Sequence, residues 1–258
     1  MRQLILLCLC LSCFFIQAQQ DSTKKKERFS KLLFADVSNA GKSMLYTFKR
    51  PLSWKKKEWI TFGAVLGIAT ATSFLDESAS DFFQRNQSDY LNPFAELGDF
   101  IGQPEHQGPF LLAFWSVGVS INNKWMRETS SMMAASMATS GLLTAFGKEA
   151  FGRARPNKGE GSNSFKLFAG KDYHSLPSAH TTLSISSAWV LARQVKPLAL
   201  KIPLYAIPVV VGWSRIYDNA HWFSDVVVSS ALAIASAEAV IQYYSTIKKK
   251  DESKACLI

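Results

Sequence analysis

The apolar positions of the chain fall into runs, not alternations. Six stretches, 59–75, 109–121, 131–146, 181–195, 198–213 and 226–244, are rich in Ala, Leu, Met and Ser and never keep a period of two. That pattern predicts helices rather than strands. None of the six holds twenty uninterrupted apolar residues, and Arg193, Lys201 and Glu238 break three of them. They suit either buried helices of a soluble bundle or short, tilted membrane helices around a polar centre. An earlier set, Phe29, Leu32, Leu33, Val37, Ala40, Met44, Leu45 and Phe48, also has helical spacing. It predicts an amphipathic helix, lying on a membrane surface or packed on the domain. The expected fold class is all-α, a helical bundle of about six core helices.

The first eighteen residues read differently. Arg2 precedes an apolar run from Leu4 to Ile16, and Ala18 follows. A basic start, a dozen apolar residues and a small residue near the end make a secretory signal peptide. The run is shorter than the roughly 20 residues a bilayer span needs. Cys8, Cys10 and Cys13 would leave with it, so only Cys256 remains and no internal disulfide is expected. The chain then divides into 1–18 as signal peptide, 19–57 as a basic amphipathic region, 58–247 as the helical domain and 248–258 as a basic tail.

Charge changes the picture in one respect. The net charge of +9 suggests a nucleic-acid binder until it is divided along the chain. Residues 19–57 hold 11 Lys/Arg against 3 Asp/Glu, and 248–258 hold 4 against 2. The region 58–247 holds 13 against 15. The excess sits in the tails, where it suits an anionic membrane surface, and no nucleic-acid partner is expected. Charged residues make up 19% of the chain, below the roughly 25% of average domains. Within the domain, 76–107 is an acidic loop with seven acids (Asp76, Glu77, Asp81, Asp89, Glu96, Asp99, Glu105) against Arg85. The turns at 122–130 and 193–201 are basic. Six spans would put the Lys-rich tails and these turns inside and the acidic loop outside. A cleaved signal peptide would start the chain outside and reverse that arrangement, so the two signals conflict.

Three short segments carry the chemistry. They are Lys148 through Arg155-Pro156, then Pro177-Ser178-Ala179-His180, then Ser214-Arg215 followed by His221 and Asp225. Lys148, Arg155 and Arg215 are cations near polar loops, and Arg presents a planar fork that matches phosphate oxygens. His221 and Asp225 are four apart, so on a helix Asp225 would accept from one ring nitrogen and leave the other to attack. Ser178 suits a helix start, where backbone N–H groups favour an anion. One oriented histidine, a second as acid and a cationic cradle describe metal-free phosphoryl transfer through a phosphohistidine.

Together the segments resemble the signature of the type 2 phosphatidic acid phosphatase and vanadium haloperoxidase superfamily: Lys-x6-Arg-Pro, Pro-Ser-Gly-His and Ser-Arg-x5-His-x3-Asp. Any one alone is weak; the three in order are specific. The resemblance implies a helical bundle with its active site at one end. It implies that Lys148, Arg155 and Arg215 bind phosphate, with Ser178 and the backbone at Ala179 lining the pocket. His221 would be the nucleophile, held by Asp225, and His180 the acid. No metal or other cofactor is expected. One position departs from the pattern: Ala179 stands where the family has Gly, and strain there depends on the sign of its φ.

The expected activity is hydrolysis of phosphomonoesters or diphosphates, with phosphorylated lipids favoured, at a membrane of the cell envelope and facing the periplasm. A soluble exported acid phosphatase is the second reading. A vanadate-dependent haloperoxidase and a non-catalytic membrane protein are weaker ones. Read alone, His221 is a core histidine and Asp225 a helix cap. Arg153 and Lys158 are expected to add local positive potential, and His174 to lie on the surface without a role.

Overall fold

The computed structural model describes residues 29–255. The expected signal segment, its three cysteines and Cys256 lie outside the described residues. Nine α-helices are present among them: α1 (Phe29–Lys49), α2 (Lys56–Ser73), α3 (Asp76–Arg85), α4 (Asn92–Gly102), α5 (Pro104–Ser120), α6 (Lys124–Phe151), α7 (Ala179–Gln194), α8 (Leu198–Tyr217) and α9 (Phe223–Ala255). The expected all-α class holds, and each of the six apolar stretches falls on a helix, three of them running one or two residues past its end.

The acidic segment is the main correction. It is not a loop but α3, α4 and the start of α5. Each is short, so neither shows the longer periodicity that marks a helix in sequence. Asp76 and Glu77 open α3, where carboxylates favour a helix N-terminus. The basic turns are also shorter than their charge suggests, because α6 begins at Lys124 and α8 at Leu198.

The centre is α6 and α7 with α9 across them. Phe114, Met133, Val190, Leu191, Ala237 and Val240 form its apolar part. The α6–α7 seam is lined with small hydroxyl residues. Ser130, Thr139 and Ser140 bond back to the carbonyl four residues earlier, and Ser140 meets Ser186 at 2.7 Å. Small side chains that satisfy themselves in this way let two helix backbones approach closely. α6 to α9 run up and down. Trp125 bonds the Gln194 carbonyl at the basic end, and the site residues gather at the other. α1 packs on α6 and α9 through Leu32 and Asp36, while Phe29, Val37 and Leu45 stay exposed. Two helices, α8 and the 223–250 part of α9, are long and apolar enough to cross a membrane. The pair α2 and α3, bent by 52°, makes a third if counted as one span.

Candidate active site

α6 ends at Gly152, which adopts the left-handed conformation at φ 56° and lies against the Lys166 carbonyl. A side chain there meets both backbone strain and a clash. Beyond it, Arg153 to Arg155 thread between two segments of the following loop. Ala154 N–H donates to the Ser164 carbonyl, and Ser175 N–H donates to the Arg153 carbonyl. This brings Ser175 and the start of α7 against the first motif. α8 then delivers Arg215, and the short connection to α9 delivers His221.

All the residues expected in the site converge at this end of the bundle. His221 is buried. Its Nδ1 lies 2.6 Å from the Ser175 carbonyl. A carbonyl only accepts, so Nδ1 carries the proton and Nε2 keeps its lone pair. The hydrogen bond expected from His221 to Asp225 is therefore made to the backbone instead. Asp225 Oδ2 is 3.8 Å from Nδ1, within reach of charge but beyond a hydrogen bond. Burial lowers the His221 pKa to about 4, so the ring is neutral.

Asp225 has other partners. It accepts from the Trp222 N–H at 3.0 Å as the third residue of α9, reaching back to the residue before the helix, so it is not the N-cap expected of it when read alone. It also accepts from Ser175 Oγ at 2.5 Å and Arg153 Nη1 at 2.6 Å. Arg153 was expected to add only local potential. It is instead the most enclosed cation of the site, 3% exposed, and its other arm meets Asp76 at 2.7 Å. Asp76 in turn accepts from Ser224 N–H and Oγ. Lys158 was also expected to add local positive potential rather than specific contacts; it is instead ion-paired with Asp172 and Glu160.

The cations surround this core. Lys148 Nζ donates to the His174 carbonyl and Arg155 Nη1 to the Ala220 carbonyl. Burial pulls the Arg155 pKa down. The His174 side chain, expected on the surface, is half-buried and 3.0 Å from Glu149. Arg215 is buried and meets two carboxylates, Asp99 at 2.6 Å and Asp218 at 2.7 Å.

Ser178 caps α7. Its Oγ accepts from Thr181 N–H at 3.4 Å, and its own N–H goes to Ser229 Oγ at 2.7 Å. The Ser178 hydroxyl oxygen is thus engaged at the helix start. The Ala179 and His180 N–H groups open α7 with no carbonyl four residues back, the arrangement that favours an anion at a helix start. Ala179 is the first helical residue and keeps a negative φ, so the missing glycine costs little backbone strain.

Asp99, which sequence reasoning did not single out, lies 3.3 Å from His180 Nε2 through the same oxygen that meets Arg215. Two glycines put it there. A Cβ on Gly98 would strike Ser214, and one on Gly102 would strike Val211 and His180. α4 therefore rests directly on α7 and α8. Buried arginines need carboxylates, and the acidic segment supplies one of the two that Arg215 meets.

Comparison with known proteins agrees with the motif reading. The model of the PAP2 superfamily matches residues 131–249, which bears out the resemblance. A lipid A 1-phosphatase from Porphyromonas gingivalis is 31% identical over 107 residues, 41% of this chain. The match covers 21% of that relative, so the chain spans about a fifth of the curated relative's length. The Aquifex aeolicus LpxE crystal structure superposes with a TM-score of 0.55 at 20% identity, over 66% of this chain and 96% of that one. A PAP2-type phosphatidylglycerolphosphate phosphatase from Bacillus subtilis gives 0.57 at 21%, over 72% and 94%. At that identity these two structures speak for the fold.

Proposed function

Taking residues 131–249 as a PAP2-superfamily domain, we propose that the chain is a metal-independent phosphatase of lipid phosphate esters working through a phosphohistidine. One observation carries this reading: the Ser175 carbonyl fixes the proton on His221 Nδ1 and leaves Nε2 as a nucleophile among cations. In the reaction, Nε2 attacks phosphorus and the bond to the leaving oxygen breaks. His180 gives that oxygen its proton. Water then attacks the phosphohistidine, His180 takes the water's proton, and orthophosphate leaves with Nε2 restored. Lys148, Arg155 and Arg215 hold the equatorial oxygens, whose charge is greatest in the transition state. Asp225 stabilises the ring as it becomes positive at Nδ1.

Three features favour a lipid substrate. α8 and α9 are long enough to cross a bilayer. A cavity of about 950 Å³ lies between α3, α7, α8 and α9, lined by Phe83, Trp189, Tyr205, Trp213 and Phe223. Phe223 is two residues from His221. The basic turns lie at the end of the bundle away from the site, which favours a site on the outer side of the membrane. We therefore place the enzyme in the cell envelope with the site toward the periplasm.

The test is to trap the intermediate. Purified enzyme mixed with a 32P-labelled phosphate monoester and quenched in base should carry label on the peptide containing His221. His221→Ala should carry none and hydrolyse nothing, with an unchanged circular dichroism spectrum. Label on a different residue, or full turnover by His221→Ala, refutes the reading.

A further inference from the structure

Beside Arg215 and His180 lies a second cavity, about 470 Å³, lined by Asn92, Glu96, Asp99, Gln103, Tyr217 and Asp218. Its polarity is opposite to that of the phosphate cradle. Arg215, the cation nearest to it, is already matched by Asp99 and Asp218, and Glu96 adds a further negative charge. Among the described residues, Lys148 and Arg155 donate to backbone carbonyls and not to carboxylates. One side of the site is thus net positive and the other net negative.

The mechanism gives that division a direction, and the inference rests on the phosphatase reading. His180 protonates the departing oxygen, so it marks the side on which the alcohol leaves. Asp99 touches His180 Nε2 and also lines the cavity. The alcohol part of the substrate therefore meets the carboxylates. We propose that this cavity selects esters whose alcohol side offers hydroxyl or ammonium hydrogens and rejects alcohol sides that carry further negative charge, so that phosphomonoesters are cleaved in preference to diphosphates. In a diphosphate the departing group is itself a phosphate, and it would enter beside Asp99, Glu96 and Asp218. Like charges placed so close act as a repulsive filter. Gln103, which donates to Asp99 Oδ2, holds the carboxylate in place whether or not the site is filled.

The experiment compares farnesyl phosphate with farnesyl diphosphate in mixed detergent micelles. The two share an alcohol and differ in the charge of the leaving group. The wild-type protein should cleave the monophosphate with a kcat/KM at least about tenfold higher. Glu96 touches neither histidine, and Glu96→Gln should raise the ratio of diphosphate to monophosphate rates about threefold. Asp99→Asn should raise the ratio of diphosphate to monophosphate rates about tenfold. Equal or better cleavage of the diphosphate by the wild type overturns the proposal, and so does a ratio that neither variant moves. Calorimetry with orthophosphate and pyrophosphate reads the same filter without turnover. Tighter orthophosphate binding, reversed in Asp99→Asn, supports the filter even if neither ester is hydrolysed, an outcome that would fail the phosphatase reading alone. Pyrophosphate binding tighter in the wild type overturns the filter.

Discussion

Two arginine–carboxylate clusters flank the same pair of histidines, and they are built to opposite ends. On the nucleophile's side, Arg153 joins Asp225 and Asp76, with side chains 3%, 0% and 0% exposed. On the leaving group's side, Arg215 joins Asp99 and Asp218, whose carboxylates are 35% and 37% exposed. The first cluster is dry and its members have several partners each. The second opens onto a cavity. A nucleophile must be held in one geometry, and a saturated buried network does that. A leaving group must have room to depart, so its side is wet and adjustable.

Asp225→Asn should break the contrast most strongly. The amide keeps the shape but cannot balance the positive charge that develops on His221. We expect kcat to fall by about 10² to 10⁴ with KM nearly unchanged, measured by steady-state kinetics. A loss confined to KM would mean that Asp225 serves binding.

Stability should separate the clusters next. Arg153→Leu leaves Asp225 and Asp76 buried without their cation and should cost about 3–5 kcal/mol in thermal or denaturant unfolding. Asp218→Asn, half in solvent, should cost about 1 kcal/mol or less. Similar losses for both would erase the distinction drawn here.

A smaller effect appears with pH. The folded pKa of His221 lies near 4, below the ordinary 6.5. The free enzyme should therefore keep its nucleophile down to about pH 4, and the acidic limb of kcat/KM attributable to His221 should lie there. The stability link has a definite sign. The neutral buried ring contributes fully above 6.5, and that contribution is lost as pH falls from 6.5 toward 4. A His221 ring that titrates near 6.5 by NMR would mean that it is more hydrated than its burial implies. The smallest expected effect is none: excess chelator should leave the rate unchanged, since every assigned role belongs to the protein chain itself. Loss on chelation, restored by a divalent cation, would overturn the mechanism.

The sequence carried the nucleophile's side better than the leaving group's side. Lys148, Arg155, His180, Arg215, His221 and Asp225 stand at fixed spacings in three segments, and the fold brings them together as those spacings imply. Arg153 was visible too but misjudged, because a cation at a helix end is usually solvated. What turned it inward is Asp76, about eighty residues earlier. Asp99 was hidden for a related reason: its place depends on Gly98 and Gly102 letting α4 settle on α8, a tertiary fit with no local signature. The Ser175 carbonyl that orients His221 could not be read at all, since a backbone atom has no residue type.

The connection carrying His221 joins α8 to α9, both long and apolar enough to cross a membrane. On the proposed reading, a nucleophile hung between two such rods has its depth fixed by them, near the plane where lipid headgroups sit, and catalysis there is a two-dimensional affair. Such an enzyme samples substrate by lateral diffusion, and the quantity that governs its rate is the mole fraction of phosphorylated lipid in the bilayer rather than its amount per volume of water. Diluting the substrate with inert lipid should slow turnover, while adding buffer to the same vesicles should not.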